Sequence, residues 1–150
     1  MNCYKYYPNF INSDCDYLNK LVKEIELQQD YLNFDGTLVR ESRLTSWQTE
    51  TNNECKYAGK ILPVKKFTPT VEKLKKIIEN KKNVKLDSVL INYYKDGNDH
   101  INYHSDEYNI HRNNDILVLS FGESRKFVIR NKKNHQQRDN YLLNNGDLFH

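Results

Sequence analysis

Two stretches of the chain repeat their apolar residues with the period of a helix, and from about residue 87 onward the period becomes two. Leu18, Leu21, Val22 and Ile25 fall on one helical face, which predicts a helix over about Asp14–Gln29. Ser13, with Asp16 three residues later, gives it a capping start. Val71, Leu74, Ile77 and Ile78 form a second stripe directly after Thr68-Pro69. Proline at the first helical position costs little, because the N–H it lacks has no partner within the helix there. Lysines occupy most of the opposite face.

From about Asp87 the alternation reads as strands. Val89, Ile91 and Tyr93 face one side, and Leu90, Asn92 and Tyr94 the other. Lys95-Asp96-Gly97-Asn98 is a turn by composition. Further strands are expected at Ile101–Asp106, Ile116–Phe121, Lys126–Ile129, Tyr141–Leu143 and Leu148–His150, with Gly122-Glu123-Ser124 and Asn144–Asp147 as turns. Residues 31–43 show no firm pattern. The expected class is α+β with a mainly β core, a jelly roll with the N-terminal helices packed outside it. The 150 residues suit one domain, expected as a monomer.

Composition adds class limits. No apolar run has the length of a membrane span and no targeting pattern opens the chain, so an intracellular soluble protein is expected. Cys3, Cys15 and Cys55 are too few and too scattered for a disulfide framework or a zinc site, and read as free thiols. The net charge is only +3, but residues 56–85 hold ten lysines against Glu72 and Glu79. Residues 123–138 add Arg125, Lys126, Arg130, Lys132, Lys133 and Arg138 against Glu123 alone. Such surfaces attract phosphates and release their counterions, as a nucleic-acid partner requires. A solvated lysine-rich helix fits the same charges equally well.

His104-Ser105-Asp106 carries the chemistry. Residues two apart in a strand point to the same side, so an imidazole and a carboxylate can converge on one ion. Two histidines and a carboxylate on one face of iron(II) leave positions open for a cosubstrate and oxygen. The triplet also suits a surface histidine beside an acid, and its neighbours are what separate the two readings.

Those neighbours run Leu90-Ile-Asn-Tyr-Tyr-Lys-Asp-Gly-Asn-Asp-His-Ile-Asn-Tyr-His-Ser-Asp106. The run resembles the central motif of the AlkB family: an N-x-Y strand, a K/R-D-G turn, then H-x-D. Ser120-Phe-Gly-Glu-Ser-Arg125-Lys-Phe127 resembles its S-F-G-x-x-R-x-F hairpin. Arg43-Leu44-Thr45-Ser46-Trp47, Tyr57-Ala58-Gly59, Phe67-Thr68-Pro69 and Asn145-Gly146-Asp147-Leu148 resemble further landmarks in the same order, over roughly residues 40–150. The resemblance implies a double-stranded β-helix that binds iron(II) and 2-oxoglutarate and oxidatively dealkylates N-alkylated bases of DNA or RNA, releasing aldehyde, succinate and CO2. It implies His104 and Asp106 as metal ligands and catalytic centre, and Asn92 and Tyr94 as hydrogen-bond partners of 2-oxoglutarate. Tyr57 would stack on the target base and Glu107 would contact its edge, while Arg125, Arg130 and the lysine-rich helix would meet phosphates, with a structural hydrogen-bond donor as the alternative role of Arg125. A base in a duplex must first be flipped into such a pocket. On this reading residues 1–86 are a helical, substrate-lid part and residues 87–150 the jelly-roll core.

The sequence departs from the pattern in two places. Tyr108 stands where several relatives have an acid, which leaves open an oxygenase acting on a protein or lipid. The chain also reaches His150 before a second metal histidine and the arginines that grip the far carboxylate of 2-oxoglutarate. His100, His111, His135 and His150 do not match that histidine, and His100 is the nearest substitute because it would share a strand face with His104. A C-terminally truncated jelly roll is therefore expected, with weak iron binding and little turnover in 150 residues alone. A catalytically inactive nucleic-acid-binding module is the alternative.

Overall fold

The computed structural model describes residues 4–12, 14–57, 60–105 and 116–150, apart from the side chains of Phe34 and Tyr57. Among these the order is β1 (Tyr6–Tyr7), α1 (Tyr17–Glu24), β2 (Gln28–Phe34), β3 (Thr37–Thr49), β4 (Cys55–Tyr57), β5 (Lys60–Leu62), β6 (Val64–Lys65), α2 (Pro69–Lys82), β7 (Ser88–Tyr93), β8 (Val118–Leu119), β9 (Arg125–Arg130), β10 (Arg138–Leu143) and β11 (Leu148–Phe149). The chain is thus mainly β sheet with two helices. It divides into two compact units, residues 20–104 and residues 1–19 with 105–150.

In the first unit β2, β6 and β7 all pair with β3, while β4 and β5 pair with each other. β7 lies antiparallel along Leu44–Thr49, while β2 covers Thr37–Thr45 and β6 runs parallel at Trp47 and Gln48. Leu44 and Thr45 pair with both β2 and β7, and Trp47 and Gln48 with both β6 and β7. A strand has only two edges, so β2 and β6 follow each other along one edge and β7 holds the other. The apolar interior comprises Ile25, Trp47, Cys55, Leu62, Val71, Leu74 and Ile78. Trp47 is anchored by its indole N–H, which donates to the Asn53 carbonyl at 2.9 Å.

The helix α2 begins where Thr68-Pro69 predicts, and it buries Val71, Leu74 and Ile78 of the expected stripe. Its first turn is capped from outside. The Glu24 carboxylate accepts the Thr70 N–H at 2.8 Å and the Thr70 hydroxyl at 2.6 Å. Those two bonds hold the Glu24 carboxyl below its ordinary range. At the other end Asn83 adopts the left-handed conformation that closes many helices (φ 53°, ψ 45°).

Several expectations need correction. The helix over 14–29 is only Tyr17–Glu24, because Gln28 and Gln29 join β2. Asp16 provides the cap, accepting the Asn19 N–H, whereas Ser13 lies outside the described residues. Leu18 and Val22 of its stripe remain 37% and 43% exposed, which explains why so little holds the helix further on. The described part of residues 1–86, expected to be helical, carries six strands as well as the two helices. Ile101–Ser105 are exposed and are not in a strand among the described residues; Asp106 lies outside the described residues. His100 and His104 accordingly share no strand face. Of Ile116–Phe121 only Val118–Leu119 pair, whereas β9 and β10 run longer than expected. Cys15 and Cys55 are free thiols, and Cys3 lies outside the described residues. No helix among the described residues is long and apolar enough to cross a membrane.

The second unit joins the two ends of the chain. β11 lies between β1 and β8, and the Lys5 and His150 backbones exchange hydrogen bonds of 2.6 and 2.8 Å. Phe149 packs on Tyr4, Phe127 and Tyr141 at centroid distances of 5.4, 5.0 and 4.9 Å. Beside these rings Asp147 is 2% exposed and accepts bonds from the Tyr6 hydroxyl, the Asn9 N–H (2.8 Å) and the Asn144 N–H (2.7 Å). Burial pushes its carboxyl up, but these donors outweigh burial and leave it below the ordinary aspartate range. Gly146 has φ +84°, and a Cβ there would stand 2.1 Å from the Ile11 carbonyl oxygen, whose own N–H donates to the Gly146 carbonyl at 3.0 Å.

Two outcomes follow for this unit. Gly146→Ala must break the Ile11 contact as well as strain the backbone, and should destabilise by about 2–4 kcal/mol. Gly122→Ala, facing only the flexible Leu18 tip at 3.1 Å, should cost less in the same thermal melts. Equal losses would show that the Ile11 approach is unimportant. A depressed carboxyl stabilises the fold above its unfolded pKa of about 3.9 and loses that contribution as pH falls through the folded value. The melting-temperature gap between wild type and Asp147→Asn should therefore be widest above about pH 5 and narrow below about pH 4.

Candidate functional site

Asn92 lies opposite Thr45 in the β7–β3 ladder, and side chains of one face alternate along each strand. Thr45 therefore shares its face with Glu41, Arg43 and Trp47. Between Gln29 and Tyr31 the β2–β3 register shifts, so that Glu41, Ser42 and Arg43 of β3 stand opposite Asp30 alone. The Gln29 amide fills the interrupted ladder. Its Nε2 donates to the Glu41 carbonyl at 2.9 Å and, at longer range, to the Asp30 and Arg43 carbonyls at 3.2 and 3.4 Å. Arg40 Nε steadies the same amide by donating to its Oε1 at 2.7 Å.

The shift places four charges together. Lys60 Nζ lies 2.9 Å from Glu41 Oε1 and 3.4 Å from Asp30 Oδ2. Asp30 also accepts the Thr45 hydroxyl. Arg43 sits 3.6 Å from Glu41 and donates through Nε to Asn92 Oδ1 at 2.8 Å. Glu41 and Arg43 are both only 6% exposed, so these partners take the place of the water each has lost. Asn92 is half-buried at the edge of this network.

Tyr94 follows the last residue of β7 and is half-buried, while His104 is exposed. His104 Nδ1 lies 2.8 Å from the Asn102 carbonyl oxygen. A carbonyl only accepts, so the proton of that bond is on Nδ1, and Nε2 is the nitrogen left for a metal ion. That is the form and outer contact in which imidazole binds a metal ion. His100 makes the same contact with Asn98, at 3.0 Å. Among the described residues no three His, Cys, Asp or Glu side chains gather as a metal site.

Asp106 and Glu107 lie outside the described residues, as do Tyr108 and His111. Tyr57 ends β4, at the turn of the β4–β5 hairpin whose other strand begins with Lys60. Arg125 begins β9 in the second unit, opposite Leu143. At the far end of that hairpin Arg130 stands opposite Arg138, and the exposed turn between them carries Lys132 and Lys133. The lysine-rich stretch is less bare than its count implies. Lys56, Lys60, Lys65, Lys75 and Lys76 all form ion pairs with carboxylates. Sequence reasoning missed Asp30, Glu41 and Lys60, and took Arg43 only as part of a motif. The one available signal was three charged residues within Arg40-Glu41-Ser42-Arg43.

The sequence profile of the 2OG-Fe(II) oxygenase superfamily matches residues 5–150. The chain is 38% identical over 149 residues to the uncharacterised protein R406 of Acanthamoeba polyphaga mimivirus, covering 98% of this chain and 76% of that protein. It is 29% identical over 137 residues to the human DNA oxidative demethylase ALKBH2, covering 79% of this chain and 52% of the relative. To the mouse alpha-ketoglutarate-dependent dioxygenase alkB homolog 3 it is 29% identical over 139 residues, or 90% of this chain and 48% of the relative. The chain thus spans about half the length of these last two.

Removing one carboxylate should expose the interdependence of the charges. Glu41→Ala leaves Arg43 and Lys60 short of a counter-charge and is expected to destabilise the fold by about 3–5 kcal/mol in urea unfolding. A loss below about 1 kcal/mol, the scale of an exposed pair, would show that the network is not desolvated.

Proposed function

The chain belongs to the 2OG-Fe(II) oxygenase superfamily, on its AlkB-like side, and on that premise we propose that it is the dioxygenase domain of an oxidative nucleic-acid dealkylase. The whole of residues 1–150 is taken as one such domain, built on a double-stranded β-helix. The observation that supports the reading is the contact between His104 Nδ1 and the Asn102 carbonyl, which makes Nε2 the nitrogen that would meet a metal ion within the H-x-D motif. His104 and Asp106 would hold iron(II). Asn92, with its Oδ1 turned toward Arg43, offers its N–H groups to a carboxylate, and Tyr94 offers a hydroxyl. The donor set therefore suits an anionic 2-oxo acid beside a cation. Bound there, iron(II) and 2-oxoglutarate supply the oxidising power that hydroxylates the carbon on an alkylated base nitrogen, which then leaves as an aldehyde.

The chain's own contribution is binding and orientation. Tyr57 would stack on the extruded base and Glu107 would meet its edge. Arg125, and the exposed cations near Arg130 and Arg138, would meet phosphates. One relative supports nucleic acid as substrate, since it is a DNA oxidative demethylase.

The test is turnover with an N-methylated oligonucleotide, iron(II) and 2-oxoglutarate. Formaldehyde and succinate are expected in equal amounts, falling at least a hundredfold in His104→Ala if that residue binds the metal, roughly the scale of lost metal-centred catalysis. Salt-sensitive oligonucleotide binding with no aldehyde, indifferent to chelator and to His104→Ala, would instead identify a binding module. Succinate formed on a peptide and unaffected by nucleic acid would overturn the substrate assignment.

A further inference from the structure

An asparagine amide is a donor at one end and an acceptor at the other, and its use depends on which end faces the ligand. At Asn92 a neighbouring cation decides the matter. Arg43 Nε has only a hydrogen to offer, so the atom it meets at 2.8 Å must be Oδ1, and Nδ2 with its two hydrogens must face away from the guanidinium. Arg43 is itself held. It is buried, lies 3.6 Å from Glu41 and belongs to the strand segment whose carbonyl the Gln29 amide binds. Lys60 sits on the other oxygen of Glu41, so the carboxylate is shared between two cations and does not draw Arg43 away from Asn92.

We infer that Arg43 is a positioning residue that locks the Asn92 amide as a hydrogen-bond donor, and so makes this point of the site select an anionic oxygen. Arg43 need not touch the ligand. It acts by removing the flipped amide, in which Oδ1 would face the carboxylate and repel it. The inference rests on the functional reading above, in which Asn92 meets 2-oxoglutarate.

The experiment is calorimetric titration of the protein with 2-oxoglutarate in the presence of Mn(II), which needs no turnover, alongside thermal melts and steady-state kinetics. Arg43→Met should weaken 2-oxoglutarate binding about tenfold, the scale of one well-placed hydrogen bond, and raise KM while leaving kcat nearly unchanged. Asn92→Ala should weaken binding similarly, and the double variant should be no weaker than Asn92→Ala alone. Arg43→Lys keeps a cation beside Glu41 but lacks the fixed Nε donor. It should recover most of the melting temperature of wild type without recovering affinity, which guards against a Met variant that fails to fold. Wild-type affinity in both Arg43 variants, with Asn92→Ala impaired, would sink this inference and leave the functional reading standing. Multiplying losses in the double variant would also overturn it. Absence of any 2-oxoglutarate binding by the wild type would overturn both.

Discussion

A buried carboxylate and a buried guanidinium two residues apart on one strand are tolerable only if the surroundings replace the water both have lost. The larger unit of this protein is organised around that requirement. Glu41 and Arg43 occupy the stretch of β3 where the ladder with β2 breaks register, which gives their side chains room and leaves backbone groups to be satisfied. The Gln29 amide, bound to the Glu41 and Arg43 carbonyls, satisfies the backbone, while Lys60, Asp30, Thr45 and Asn92 satisfy the side chains. Each of β2, β3, β5 and β7 contributes at least one member. The same set of contacts thus links these four strands and fixes which atom of the Asn92 amide meets Arg43.

The smaller unit solves a similar problem by other means. Asp147 is nearly inaccessible, yet the donors around it are a phenol, two backbone N–H groups and the Asn144 amide rather than cations. Neutral donors let a carboxylate stay ionised without importing a second charge that would need its own solvation. The difference suits the two locations. Asp147 closes a tight turn against the N-terminal segment, a purely architectural task. Glu41 must hold two cations at set distances, one of which reaches on to Asn92.

How much of this could be read from the chain depends on range. The start of α2 was legible because Thr68-Pro69 and the 71–78 stripe act within a few residues of one another. The placement of Asn92 on one face of β7 was legible because alternation is strictly local. The strand β3 was not, since its inward-facing positions include Glu41, Arg43 and Thr45, and hydrophobic periodicity has no term for a charge buried by its partners. The first helix was overextended because Gln28 and Gln29 suit a helix by propensity, and only pairing with Leu44 and Thr45 makes them a strand. The pairing of Arg43 with Asn92 spans 49 residues and leaves no local trace.

The pairing of β1 with β11 has a consequence for the order in which the protein can assemble during its synthesis. Residues 20–104 make their ladders among themselves and can be completed while translation continues. The segment holding Tyr4, Tyr6, Tyr7 and Phe10 leaves the ribosome more than a hundred residues ahead of its strand partner at Leu148–Phe149. Through that interval an aromatic strand waits without the partner that covers its edge in the folded unit. Such an edge is a site for chaperones or for a neighbouring nascent chain, and an early tyrosine-rich segment is where co-translational misassembly of this fold would begin.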